Sequence, residues 1–307
     1  QRRSHACYTA DGVAHDSVRE GSMMIPAEFD YVRPSSVAEA VAALKSGGED
    51  AKLMAGGQSL MPVLRLRLGA PPVVVDCSRL PELQGITETG DSVTIGAAAT
   101  HHAVMNSAVV KSGVPLLAQA TATVADPAIR HRGTLGGSLA HADPAGDLPA
   151  VALALDATFT IAGAGGTRTV SAADFFVDYF TTAVGPDEIL VSVTFPKLGA
   201  GWGTTYEKFN RTAQAWAIVG VAAAVKVEGG KITEARIGLT NMSPTPVRAS
   251  AVEAALVGAA GVDAINAAAQ AAAEGTSPTS DLNAQADYRE HLARVITGRA
   301  VRKAAGM

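Results

Sequence analysis

Cysteine is nearly absent: 307 residues carry two, Cys7 and Cys77, far apart and outside any paired motif. Iron–sulfur clusters and thiolate zinc sites normally take four thiolates. The chain cannot build such a cluster alone, so any iron–sulfur centre its chemistry needs must sit on another polypeptide. Charge is sparse as well, with 18% charged residues and a formal net charge of −4. That balance gives no electrostatic footprint for nucleic acid or an anionic membrane. No apolar run reaches transmembrane length, because polar residues interrupt the alanine-rich stretches every few positions. Residues 1–22 lack an apolar central stretch, so no signal peptide is expected and the cytoplasm is the expected compartment. Neither G-x-G-x-x-G nor G-x-x-x-x-G-K-[ST] occurs, which argues against a Rossmann site or a P-loop. No Ser–His–Asp nucleophile arrangement can be defended.

What is present is a chain long enough for two or three subdomains, with 48% hydrophobic residues, as expected of a folded protein. Two glycine-rich segments stand out. The first is Ala55-Gly56-Gly57-Gln58-Ser59-Leu60, and the second is Gly133-Thr134-Leu135-Gly136-Gly137-Ser138-Leu139. Adjacent glycines let the backbone turn freely and approach a ligand, because no Cβ intervenes. Successive amides in such a turn form a concave anion site, and Ser or Thr adds a hydroxyl donor. One such loop means little, but two suit a diphosphate gripped from both sides.

Residues 1–22 read as an aperiodic extension, with Met23 or Met24 as a translational start. Ser36-x-x-Glu39 is a capping-box pattern that opens a helix, and Gly47 or Gly48 closes it. Lys52–Ala55 reads as a strand entering the first glycine segment, and Val73–Asp76 as a buried parallel strand. Further strands are expected at Val93–Ala97, Thr158–Ala162, Arg168–Val170 and Ile189–Phe195, with helices at Leu116–Val124 and Leu148–Leu155. From about Gly201 a new region begins, with strands over Thr204–Phe209, Ile218–Val227 and Lys231–Leu239. Two alanine-rich helices (about 249–258 and 262–274) and a last helix (about 284–305) follow. Strands followed by helices argue for an α+β domain.

Other candidate sites are weaker. His141-x-Asp143-x-x-x-Asp147 has the look of metal ligands, but a polar cofactor wall is the better reading, and Asp147 also suits a helix cap. His101-His102 reads as a solvated helix start. Arg130-His131-Arg132 is either a solvated turn or a local charge that offsets phosphate. Taken by spacing alone, Lys208 reads as a strand surface residue and Trp216 as a core residue.

The chain resembles the FAD-binding medium subunits of the molybdenum hydroxylases, the xanthine dehydrogenase group. The resemblance runs from Met24-Ile25-Pro26-x-x-Phe29-Asp30-Tyr31-x-Arg33-Pro34 through both glycine segments and Ile95-Gly96-Ala97. It continues over Ala125-Asp126-x-x-Ile129-Arg130 to Tyr206-Glu207-Lys208 and Ile237-Gly238-Leu239-Thr240-Asn241. Within the group it is most similar to the branch that serves aerobic carbon monoxide dehydrogenases; related subunits serve aldehyde, purine, nicotinate or aromatic acyl-CoA substrates.

The resemblance implies an α+β, PCMH/VAO-like FAD fold over residues 24–200, in two subdomains (24–79 and 80–200), and a C-terminal α+β flavoprotein domain over 201–307. It implies that Ala55, Gly56, Gly57, Gln58 and Ser59, with Thr134, Leu135, Gly136, Gly137 and Ser138, grip the pyrophosphate, Leu53 and Leu60 completing the first segment. Asp147 would bind the ribityl region, Ala125 and Leu190 would line the flavin, Lys208 would approach the isoalloxazine edge, and Trp216 would lie against the ring. Gln58 stands where close relatives often have His, and Ser138 where Asn or Asp is common. The implied partners are a large subunit with the molybdenum cofactor and a small subunit with two [2Fe–2S] clusters, in a dimer of heterotrimers. Electrons would pass through FAD to a quinone or another acceptor. The rival readings are a self-contained flavoprotein oxidase and a cofactor-free structural subunit.

Overall fold

The computed structural model describes residues 25–307. The extension expected at 1–22, both candidate start methionines and Cys7 lie outside the described residues.

The first sheet holds β1 (Asp30–Val32), β2 (Lys52–Met54) and β3 (Val73–Asp76) in the order β1-β3-β2, with both pairings parallel. Parallel neighbours need a crossover. The helix Val37–Gly47 runs between β1 and β2 and buries Ala40, Val41 and Leu44. Ser36 caps it by accepting from the Glu39 N–H at 3.2 Å. The Glu39 carboxylate, however, accepts from the N–H and hydroxyl of Ser35, each at 2.8 Å. The capping box therefore closes one residue earlier than its spacing predicts.

The second sheet contains β4 (Ile86–Thr89), β5 (Ser92–Gly96), β6 (Thr158–Gly163) and β7 (Gly166–Ser171). A small hairpin of β8 (Phe176–Asp178) and β9 (Thr181–Thr182) precedes β10 (Ile189–Pro196). The sheet order is β4-β5-β10-β6-β7, antiparallel throughout. Val93, Ile95, Phe159 and Phe195 from these strands share a core with Leu116, Leu117 and Leu148 from the intervening helices. Phe159 stacks on Phe175 with ring centroids 3.7 Å apart.

The third sheet is antiparallel: β11 (Trp202–Phe209), β12 (Val219–Glu228), β13 (Lys231–Thr240) and β14 (Val247–Arg248). Strand residues alternate between faces, and β12 divides accordingly. Val221, Ala223 and Val225 join the core beneath the C-terminal helices. Ala222 and Ala224 join the core of the middle region instead. The third sheet is thus packed on both faces, and the helix Asp147–Ala154 lies against the inner one. Tyr206 and Lys208, two residues apart on β11, face the same side as Asp147.

The fold is α+β throughout, two sheet-containing regions followed by a C-terminal α+β region. Local boundaries shift. The second alanine-rich helix is α-helical over Gly261–Ala268 and continues as a 3-10 turn over Ala269–Ala273. The helix expected at Leu116–Val124 starts at Pro115, whose fixed φ suits a first helical position, and stops at Ala122.

Candidate functional site: a glycine-lined cleft

A cavity of about 790 Å³ opens where the three sheets converge. Cofactor sites usually enclose about 300–1,000 Å³. Its first wall is the turn beyond β2. Gly57 sits at φ +73°, in the left-handed region that glycine tolerates. Gly56 lies so close to the second glycine segment that a Cβ would come within 2.1 Å of the Arg132 carbonyl oxygen. Gln58 turns back, and its Nε2 donates to the Gly56 carbonyl at 3.0 Å. Among the described residues, the amides of Gly56, Gly57, Gln58 and Ser59 donate to no protein acceptor.

The second segment differs from the open loop that its glycines suggest. Thr134 caps the helix Leu135–His141, its Oγ1 accepting from the Gly137 N–H at 3.0 Å. The Leu135 and Gly136 amides donate to the carbonyls of Ala99 and Ala97 at 2.9 and 2.8 Å, and the Ser138 amide donates to Thr134 at 3.0 Å. These amides are consumed inside the protein, so the hydroxyls of Thr134 and Ser138 are what this wall offers. Leu135 itself does not line the cavity; its side chain is buried in the middle core. The reason is helical geometry: as the first residue of the helix it faces the sheet rather than the cleft. All the other expected site residues, from Leu53 and Ala55 through Ala125 and Leu190 to Trp216, line the cavity.

The third wall carries a buried ion pair. Lys208 Nζ lies 2.8 Å from Asp147 Oδ2, and their side chains are 6% and 3% exposed. Tyr206 donates its hydroxyl to Asp147 Oδ1 at 2.7 Å and lies 3.3 Å from the Thr240 hydroxyl. Burial pushes the Asp147 carboxyl up, against the pull of the Lys208 ammonium and the Tyr206 hydroxyl. Burial, followed by the Asp147 charge, pushes the Tyr206 phenol well up. Asp147 is therefore not the helix cap expected from its position. Gly146 occupies that place, and the carboxylate is spent on β11. Lys208 is likewise not a surface residue.

Trp216 stands at the cavity with 55% of its surface exposed, outside the core. The Arg130-His131-Arg132 cluster contributes no side chain to the lining. Arg130 instead donates through Nη1 to the carbonyls of Val124 and Ala125, at 2.7 and 3.1 Å. That clamp holds Ala125 at φ +42°.

His101 was not legible as a site residue. It is buried, not solvated, and lines the cavity beside Gly133. Burial lowers its pKa to about 4, with help from Arg130, so the imidazole is neutral near pH 7. Its Nδ1 has no hydrogen-bond partner among the described residues. His102, by contrast, is exposed and stacks on His131 at 3.9 Å. His141 and Asp143 sit in the cavity wall with Phe180. Among the described residues no group of three His, Cys, Asp or Glu side chains is placed to hold a metal ion. His141, Asp143 and Asp147 form no such group, and the Asp147 carboxylate is taken up by Lys208 and Tyr206.

Opposed glycine segments, free amides on one side, hydroxyls on the other and an unpaired buried imidazole nitrogen fit a dinucleotide with an apolar ring system. The scaffold and the cleft define an FAD-binding protein. Residues 27–198 match the family described as the FAD binding domain in molybdopterin dehydrogenase, and residues 204–304 match the CO dehydrogenase flavoprotein C-terminal domain. The chain belongs to the FAD-binding medium subunits of the molybdenum hydroxylases, which are oxidoreductase subunits. It is 41% identical to the carbon monoxide dehydrogenase medium chain of Hydrogenophaga pseudoflava over 282 residues, 92% of this chain and 98% of that one. A solved carbon monoxide dehydrogenase from that organism, lacking the Mo-pyranopterin moiety of its cofactor, superimposes with a TM-score of 0.89 at 44% identity. The match covers 92% of this chain and 99% of that one. The glyceraldehyde dehydrogenase medium chain of Sulfolobus acidocaldarius is 36% identical over 283 residues, 92% of this chain and 100% of that one.

Proposed function

We propose that this chain is the FAD-carrying electron-transfer subunit of an aerobic carbon monoxide dehydrogenase. The observation that carries the reading is the seam at Gly56 and Arg132, where the two glycine segments meet above a cofactor-sized cleft. Bound FAD supplies the redox chemistry; the chain binds, orients and shields it. The free amides of Gly56, Gly57, Gln58 and Ser59 hold the diphosphate from one side, and the hydroxyls of Thr134 and Ser138 from the other. Leu53, Leu60, Ala125 and Leu190 provide apolar wall. With FAD bound, Asp147 would hold the ribityl region, Lys208 would approach the polar edge of the ring, and Trp216 would lie against the ring and exclude water.

The partners in this reading are a small subunit with two [2Fe–2S] clusters, which delivers electrons, and a large subunit with the molybdenum cofactor, which oxidises carbon monoxide. The assembly is a dimer of heterotrimers, cytoplasmic and peripheral at the inner membrane face, with a quinone or another acceptor. No helix among the described residues is long and apolar enough to cross a membrane. The likeness to the glyceraldehyde dehydrogenase medium chain supports a second reading, service to an aldehyde-oxidising partner.

Isolation of the native complex tests both. Carbon monoxide should bleach its flavin absorbance under anaerobic conditions, and metal analysis should find molybdenum and iron. Bleaching by an aldehyde but not by carbon monoxide selects the second reading. A purified chain with no flavin spectrum, before or after incubation with FAD, rejects the function itself.

A further inference from the structure

The pair of Asp147 and Lys208 is the best-built charged feature of the cleft. Their contact is 2.8 Å between side chains 3% and 6% exposed. Each partner is held from elsewhere. Lys208 also donates to the Thr123 carbonyl at 3.3 Å. Asp147 receives the Tyr206 hydroxyl at 2.7 Å. Gly220, opposite Lys208 on β12, leaves room for that hydroxyl: a Cβ there would come within 2.4 Å of it. The three side chains come from the helix Asp147–Ala154 and from β11, the edge strand of the sheet on which that helix packs. Both members of the pair line the cavity, and His101, His141, Asp143 and Glu188 are titratable side chains of the same lining.

A lone ammonium at the pyrimidine edge would favour the reduced flavin. Uptake of two electrons and one proton adds one negative charge to the ring, and attraction is strong where water is excluded. Here the ammonium is not alone. A carboxylate lies beside it at hydrogen-bond distance, so a charge a few ångströms further off meets two opposed fields.

Resting on the FAD-binding reading above, we infer that Asp147 and Lys208 act on the flavin as one charge-balanced unit. Asp147 is its positioning residue: it fixes the lysine and cancels most of its field, holding the flavin potential down. Removing the lysine alone does not leave a naked anion. Burial already pushes the Asp147 carboxyl up, and without Lys208 it takes a proton, so the net charge of the site is conserved. Neutralising Asp147 leaves the cation uncompensated. The carboxylate, counter to the simple expectation for Lys208, is the group whose loss shifts the potential.

The test is a spectroelectrochemical titration of the FAD-loaded chain as wild type, Asp147→Asn, Lys208→Met and the double variant. Asp147→Asn should raise the flavin midpoint potential clearly, while Lys208→Met and the double variant stay near wild type. Infrared difference spectra of Lys208→Met should show a buried carboxylic-acid band that disappears in the double variant, a signature that a packing role would not produce. A clear fall in potential in Lys208→Met, without that band, overturns the inference. So does an Asp147→Asn potential at or below wild type. If Asp147→Asn fails to fold, Lys208→Met decides alone by the same two readouts. A wild-type chain that takes up no FAD rejects the functional reading instead, which separates the two failures.

Discussion

Gly56 rests on the carbonyl oxygen of Arg132, joining the turn after β2 to the segment that leads into the helix Leu135–His141. A Cβ on Gly56 would meet that oxygen at 2.1 Å and the Gly133 Cα at 2.8 Å, and both neighbours are backbone, which cannot swing aside. Gly56→Ala should therefore open the seam, at a cost of about 1–3 kcal/mol typical of overpacking, and lower FAD retention at least tenfold. Gly57 has φ +73° but only the flexible Met61 and Met54 side chains nearby, at 3.3 and 3.6 Å. Gly57→Ala should cost about 1 kcal/mol of backbone strain and keep more FAD than Gly56→Ala. Flavin-to-protein absorbance ratios and apo-protein melting temperatures check the order. Equal FAD content in Gly56→Ala and wild type removes the seam from the binding argument.

Much of this arrangement is legible before any coordinates. The hydroxyl and glycine spacing of both segments, the parallel strand Val73–Asp76 and the pattern of β11 to β13 are local signals. What is not legible is where side chains go once elements pack. Asp147 has the sequence position of a cap, and Lys208 that of a solvated strand residue. Only the docking of the helix Asp147–Ala154 onto the third sheet makes them partners, 61 positions apart in the chain. The same holds for His101, buried because the Gly133 backbone closes over it. The glycines of the second segment promise free amides, but Ala97 and Ala99 accept two of them through contacts that local pattern cannot reveal.

Cys77 should be inert in the native protein. It is 2% exposed, its Sγ lies 3.4 Å from the Met54 carbonyl, and burial followed by the Asp76 charge pushes its thiol up to about 12. The thiolate is the reactive form, and at mildly alkaline pH almost none is present. In a Cys7→Ser background, a thiol reagent should label Cys77 only on unfolding, at least a hundredfold more slowly without denaturant. Rapid native labelling contradicts the burial described.

The C-terminal region should lose stability in acid through Asp281. Arg289 is 1% exposed, bonds the Ile218 carbonyl and pairs with Asp281 at 2.7 Å. Burial pushes the Asp281 carboxyl up, but the amides of Ala284 and Asn283 and the Arg289 guanidinium outweigh it and hold the pKa below the usual value. A carboxyl depressed on folding stabilises above its unfolded pKa, and that contribution is lost as pH falls through the folded value. Asp281→Asn leaves a buried guanidinium short of a partner and should cost about 1–3 kcal/mol near neutral pH. The gap from wild type should close as acid protonates Asp281. Denaturant melts across the acidic range read this directly, and a gap that persists at the lowest pH assigns the loss to packing.

Trp216 offers an optical report on the occupied cleft. The chain has two tryptophans, Trp202 and Trp216. Trp202 is half-buried, with the Arg236 guanidinium 5.3 Å from its ring centroid, whereas Trp216 is 55% exposed at the cavity. Its loop is anchored where Asn241 Nδ2 donates to the Ala217 carbonyl at 2.7 Å. A large exposed aromatic on a tethered loop beside an apolar cavity gains by covering a ring, through apolar burial and by stacking. In the apo chain Trp216 should be quenched readily by iodide. Addition of FAD should quench its emission strongly and protect the remainder from iodide, while Trp202 changes little. Trp216→Phe should abolish most of the FAD-induced change yet weaken binding less than tenfold, because the amides of the first segment still hold the diphosphate. Trp216→Ala should in addition speed oxidation of the reduced flavin by oxygen, since the ring face is then open to solvent. An FAD-induced fluorescence change that survives Trp216→Phe at full amplitude places Trp216 outside the flavin contact and leaves Trp202 as its source.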